Sequence, residues 1–136
     1  MIAKINKVMN KICTSLEQTK KLIELGIDVN TADMHYVLID CDKEIYYIGL
    51  GNYIGILPHH PAWSLTALLG LMPFHIIENN NRFGFYQVKG FNKNGETYVF
   101  GYKTNYNSYL YQTSLHNDVV DSAFEIICWL KENGKL

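Results

Sequence analysis

Near the C-terminus the apolar positions fall into one broad helical stripe. Between Asp118 and Lys131 (DVVDSAFEIICWLK), Val119, Val120, Ala123, Phe124, Ile127, Cys128 and Leu130 recur at helical spacing, which predicts a helix with one buried face. Asp118 stands where an N-cap belongs, Asp121 and Glu125 suit the positive end of the helix dipole, and Lys131 with Asn133-Gly134 closes the helix. Phe124 and Ile127 sit centrally on the stripe and are expected in the main core.

Upstream the pattern alternates between short helices and strands. Thr14-Ser15-Leu16-Glu17-Gln18 carries capping-box spacing twice, Thr14 with Glu17 and Ser15 with Gln18, and opens a helix that turns Leu16 and Ile23 inward, with Leu22 beside them, and ends at Gly26. The β-branched and aromatic runs Met34 to Ile39 and Glu44 to Leu50 flank a polar Asp40-Cys41-Asp42-Lys43 turn and predict a first strand pair. A second short helix begins at Pro61-Ala62-Trp63-Ser64-Leu65, capped by Ser64, with Leu65, Leu68, Leu69 and Met72 inward, and Pro73 stops it. Three further strands, Phe74 to Glu78, Arg82 to Lys89 and Glu96 to Lys103, are separated by asparagine- and glycine-rich turns. Residues 105–117 read as an edge strand or a long surface loop. The expectation is an α+β protein with a mainly antiparallel sheet of about five strands and three helices, in the order α-ββ-α-βββ(β)-α, the helices on one sheet face.

A chain of 136 residues can bury one sizeable core without a disulfide or metal staple. Residues 13–136 are expected to form a single domain. Residues 1–12 read as a leader: Ile2, Ile5, Met9 and Ile12 share one side of a weakly basic segment, Met9 is an alternative start, and residues 1–8 should be dispensable. The leader lacks the continuous apolar run of a signal peptide or a membrane span, and three cysteines with no CxxC motif fit a reducing, cytoplasmic setting. With 12 basic residues against 13 acidic ones, and Arg82 the single arginine, neither nucleic acid nor membrane is an expected partner.

Candidate chemistry narrows quickly. Gly49, Gly51 and Gly55 suggest a phosphate loop, but the dinucleotide fingerprint needs glycine at position 54, and Pro58-His59-His60-Pro61 stands where a Walker loop needs Gly-Lys-Ser/Thr. The five histidines show no HExxH or other metal spacing, and no cysteine has a local nucleophile signature, so neither metal nor cofactor is expected. What stands out is aromatic. In the strand Glu96 to Lys103 a period of two puts Tyr98, Phe100 and Tyr102 on one sheet face, in a chain with ten tyrosines. Cross-strand packing accounts for such a face without a ligand. Its functional reading is a binding surface built from Trp63, Tyr98, Tyr102 and Lys103 with the His59-His60 loop.

Four segments, Ser15-Leu16-Glu17-Gln18, Thr31-Ala32-Asp33-Met34, Pro61-Ala62-Trp63-Ser64-Leu65 and Ala123-Phe124-Glu125 with Cys128-Trp129-Leu130, together resemble a family of small uncharacterised cytoplasmic proteins of anaerobic gut bacteria and their phages or mobile elements. The resemblance spans roughly residues 9–136 and implies an accessory role, with no site residues to carry over. The function expected is a non-enzymatic binding or interaction module for a small molecule or a protein, using the aromatic sheet face. The alternatives are a counter-defence or regulatory protein that sequesters a nucleotide-type molecule through Arg82, Lys89 and Lys103, and a small histidine-dependent hydrolase.

Overall fold

A computed structural model describes residues 11–136; the leader residues 1–10, with the alternative start at Met9, lie outside that range. Three helices and seven antiparallel strands form two sheets, in the order α-βββ-α-ββββ-α, an α+β architecture. The elements are α1 (Leu16–Glu24), a 3-10 turn (Val29–Thr31), β1 (Met34–Asp40), β2 (Ile45–Leu50), β3 (His59–Ala62), α2 (Leu65–Leu71), β4 (His75–Glu78), β5 (Asn81–Asn92), β6 (Gly95–Lys103), β7 (Tyr109–Gln112) and α3 (Val119–Glu132). None of the described helices is long and apolar enough to cross a membrane.

The strand count exceeds expectation by two. Residues 105–117 contribute β7, and His59-His60-Pro61-Ala62 forms β3 where the two prolines suggested a loop. Proline is tolerated there because β3 is an edge strand. Pro58 and His60 face β1, since the Leu38 amide donates to the Pro58 carbonyl at 2.9 Å. Pro61 therefore points its missing N–H away from the ladder.

Local capping follows the sequence closely. Of the two capping boxes, the chain uses Ser15 with Gln18: the Gln18 amide donates to Ser15 Oγ at 3.1 Å and the Ser15 amide to Gln18 Oε1 at 2.9 Å. That choice sets the phase of α1, burying Thr19 and Leu22 while Ile23, expected inside, is exposed. Ser64 caps α2 and Asp118 caps α3 as expected, and Gly134 closes α3 with φ +67°.

The main core lies between the three helices and one face of the four-stranded sheet β4-β5-β6-β7. Leu22, Leu68, Ile126, Ile127 and Leu130 meet Phe83, Phe100 and Tyr102 there, each of these side chains wholly or almost wholly removed from water. Ile127 is at the centre, as expected. Phe124 only borders the core: half-buried, it lines a groove of about 450 Å³ with Lys11, Gln18 and Cys128. The three-stranded sheet β2-β1-β3 stands beside this core, tied to it through Trp63 and the strand of chain leading into α1.

Candidate functional site

The aromatic face proposed from the sequence is a core face, which corrects that expectation. Alternation does place Tyr98, Phe100 and Tyr102 together, but α3 and α2 cover that side: Tyr102 is 0% exposed and packs at 5.7 Å from the Phe85 ring centroid. Large rings are the most favourable surface to bury, and Tyr102 carries its hydroxyl inside at little penalty by donating to the Pro73 carbonyl at 2.7 Å. Burial pushes its phenol well above the ordinary range. Trp63, also 0% exposed, is a core residue too, its indole N–H donating to Thr31 Oγ1 at 2.9 Å.

The remaining candidates are scattered. Tyr98, half-buried, donates to Glu96 Oε2 at 2.5 Å, with Lys89 bridged to the same carboxylate at 3.2 Å. Lys103 lies on the opposite sheet face, 5.0 Å above the Tyr86 ring and donating to Asn107 Oδ1 at 3.1 Å. Arg82 approaches His75 Nδ1 at 3.5 Å. The three cations required for phosphate binding are thus engaged separately. His59 and His60 are strand neighbours and point to opposite faces of the small sheet.

One further cluster joins titratable groups. Glu125 on α3 accepts from Tyr111 at 2.5 Å and from the Ser114 amide at 3.2 Å, and stands 2.8 Å from His116 Nε2. Burial raises the Glu125 carboxyl, but the bonds from Tyr111, His116 and Ser114 outweigh it and hold the group below its ordinary value. Burial first, and the Glu125 bond second, push Tyr111 the other way. Through these bonds the cluster fastens residues 111–116 to α3. Nearby Cys128 has its thiol raised by burial to about 11, the reverse of activation.

Exposed apolar residues occur around both sheets, Phe74, Ile77 and Phe91 at the larger one among them, and the small sheet adds a cluster of tyrosine and histidine rings. Its register pairs Val37 with Tyr47, Tyr36 with Ile48 and Met34 with Leu50 on one side, and Tyr36 with His60 on the other. On one face Tyr53 sits between His35 and His59, with ring centroids at 5.5 and 4.9 Å. His35 donates from Nδ1 to the Gly51 carbonyl at 2.7 Å, which pins the loop following β2, and Tyr53 lines a shallow depression of about 270 Å³ with Asn30, Asn52 and both histidines. Gly49 is required beneath this cluster, since a Cβ there would run into the His35 ring. The other face carries Tyr36, Tyr46 and His60.

From the edge of this sheet outward the surface turns apolar. Leu50 is 82% exposed, Ile54 98% and Ile56 101%, and Tyr47 and Leu57 are exposed beside them. The same stretch is uncharged: from Ile45 through Ile77 the chain has no Asp, Glu, Lys or Arg. Comparisons with models of known protein families, with curated proteins and with solved structures give no match.

Proposed function

We propose that the chain is a non-enzymatic interaction module that binds a protein through the open side of the small sheet and the loop from Gly51 to Pro58. The observation that carries this reading is the exposure of Leu50, Ile54 and Ile56 within one stretch of chain that has no charged residue. Isolated exposed aliphatics need no explanation, whereas a contiguous apolar patch on a folded domain marks a contact surface. A protein is favoured over a lipid surface because interfacial anchors surround their apolar residues with lysine and arginine, and this segment has none. His35, Tyr53 and His59 add aromatic edges and imidazole nitrogens at the border, the kind of rim that gives a contact its specificity.

The test compares the wild type with Ile54→Ser/Ile56→Ser. Both are expected to melt alike, because the two side chains touch almost nothing, while the folded wild type binds a hydrophobic dye several-fold more strongly. Nucleotides and divalent metal ions are expected to leave the melting temperature unchanged, since a ligand of the folded state raises it by mass action. Equal dye binding by both proteins, a nucleotide-induced rise in melting temperature, or co-flotation with lipid vesicles would each overturn the reading.

A further inference from the structure

The two edges of the small sheet are not equivalent. On β3 the outward positions are His59, Pro61 and Trp63. Pro61 has no N–H to offer, and at Trp63 both backbone groups are taken, the carbonyl by the Thr14 amide at 2.9 Å and the N–H by Thr14 Oγ1 at 3.2 Å. That edge is largely closed. On β2 the Gly51 amide donates inward to the Asp33 carbonyl at 2.7 Å, so residues 51, 49 and 47 face β1 and the backbone groups of Tyr46, Ile48 and Leu50 face outward. Among the described residues nothing bonds to them. Natural edge strands are guarded by lysine, proline or a twist away from pairing partners, and Ile45–Leu50 has neither residue.

Resting on the reading above, we infer that the partner is a second copy of this chain, which pairs with β2 edge to edge about a two-fold axis at Ile48. Three features select a copy over another protein. The outward groups of an antiparallel pair centred there match without adjustment, Ile48 opposite Ile48 and Tyr46 opposite Leu50 of the second copy, joining two three-stranded sheets into one of six. Absence of charge removes the obstacle to self-association, because in a two-fold contact every charge meets its own like near the axis. Finally, Ile48, Leu50, Ile54 and Ile56 are exposed, so the strand and the loop after it have aliphatic surface to bury in such a contact. The loop leaves β2 at Leu50, so in the pair it lies beside the start of the other copy's β2 and adds its isoleucines to the contact.

Sedimentation equilibrium of the full chain, from micromolar to submillimolar concentration, tests this. The wild type is expected to form a dimer. Ile48→Lys and Ile48→Glu each place like charges together on the axis and should weaken it at least about tenfold, while an equimolar mixture of the two recovers a heterodimer. Recovery also certifies that both variants fold. Independently of any variant, amide exchange at Tyr46, Ile48 and Leu50 should slow as the wild-type concentration rises, with Tyr47 and Gly49 unchanged. A monomer at all concentrations, or a dimer indifferent to Ile48→Lys, overturns the inference. A monomer that still binds hydrophobic dye at Ile54 and Ile56 keeps the interaction reading and assigns the surface to a different protein; a monomer that binds none removes both.

Discussion

Thr14 and Trp63 bond to each other twice, amide to carbonyl at 2.9 Å and amide to hydroxyl at 3.2 Å, at a point where both residues are fully removed from water. The Thr14 hydroxyl also meets Thr19 Oγ1 at 2.9 Å, so one side chain joins β3, α1 and the main core. Thr14→Val keeps the shape but strips the buried Trp63 amide of its acceptor, and is expected to lower stability by about 1–3 kcal/mol in urea melts. An unchanged midpoint would show that water or another group replaces the hydroxyl.

Ile127→Ala is expected to cost about 2–5 kcal/mol, because Ile127 is wholly enclosed by the core and its loss leaves a cavity. Phe124→Ala should cost less despite removing more atoms, since Phe124 lines the groove beside Gln18 and Lys11 and keeps one side in water. Denaturant melts that reverse this order would place Phe124 deeper than the fold does.

At Gly101 an added Cβ would come within 2.6 Å of the Tyr111 carbonyl and 2.7 Å of the Tyr86 ring, and the carbonyl belongs to a paired strand that cannot retreat. Gly101→Ala is therefore expected to lose about 1–3 kcal/mol by overpacking. Gly70, inside α2 with open space around it, is the counterpart: Gly70→Ala should gain about 0.5–1 kcal/mol. Thermal melts of the two variants should move in opposite directions.

Acid should loosen the latch on α3. Glu125 titrates below its ordinary value in the folded chain, so its bonds to Tyr111 and Ser114 contribute fully above the unfolded carboxyl value of about 4.3 and fade as pH falls through the lower folded value. Glu125→Gln is expected to lower stability at neutral pH and to flatten its decline between about pH 5 and pH 3. Identical pH profiles for the two proteins would mean that the carboxylate is already solvated.

Much of the fold was legible because it depends on local chemistry. The stripe from Val119 to Leu130, the caps Ser15, Ser64 and Asp118, and the asparagine turns fixed most elements to within a few residues. What local chemistry leaves open is which of two equivalent choices tertiary contacts select. Thr14 and Ser15 had equal claims as a cap, and Trp63 decided between them by recruiting Thr14. Strand alternation put Tyr98 and Tyr102 on one face without saying whether helices covered it. For the site the useful signal was a silence, the uncharged run after Glu44, which reads equally as core until the fold leaves Ile54 and Ile56 in water.

Pro61 sets a limit on how far pairing can go. A sheet open at both margins lets each added molecule offer a fresh margin to the next, and growth then has no natural end. Here the β3 margin is largely closed by an imino acid and by Thr14, so a molecule that joins another at β2 offers no equally open second margin of that sheet. In the proposed pair the β3 margin is thus a terminator: assembly through the unguarded, water-facing strand would stop at two molecules, where a second open margin would make filaments.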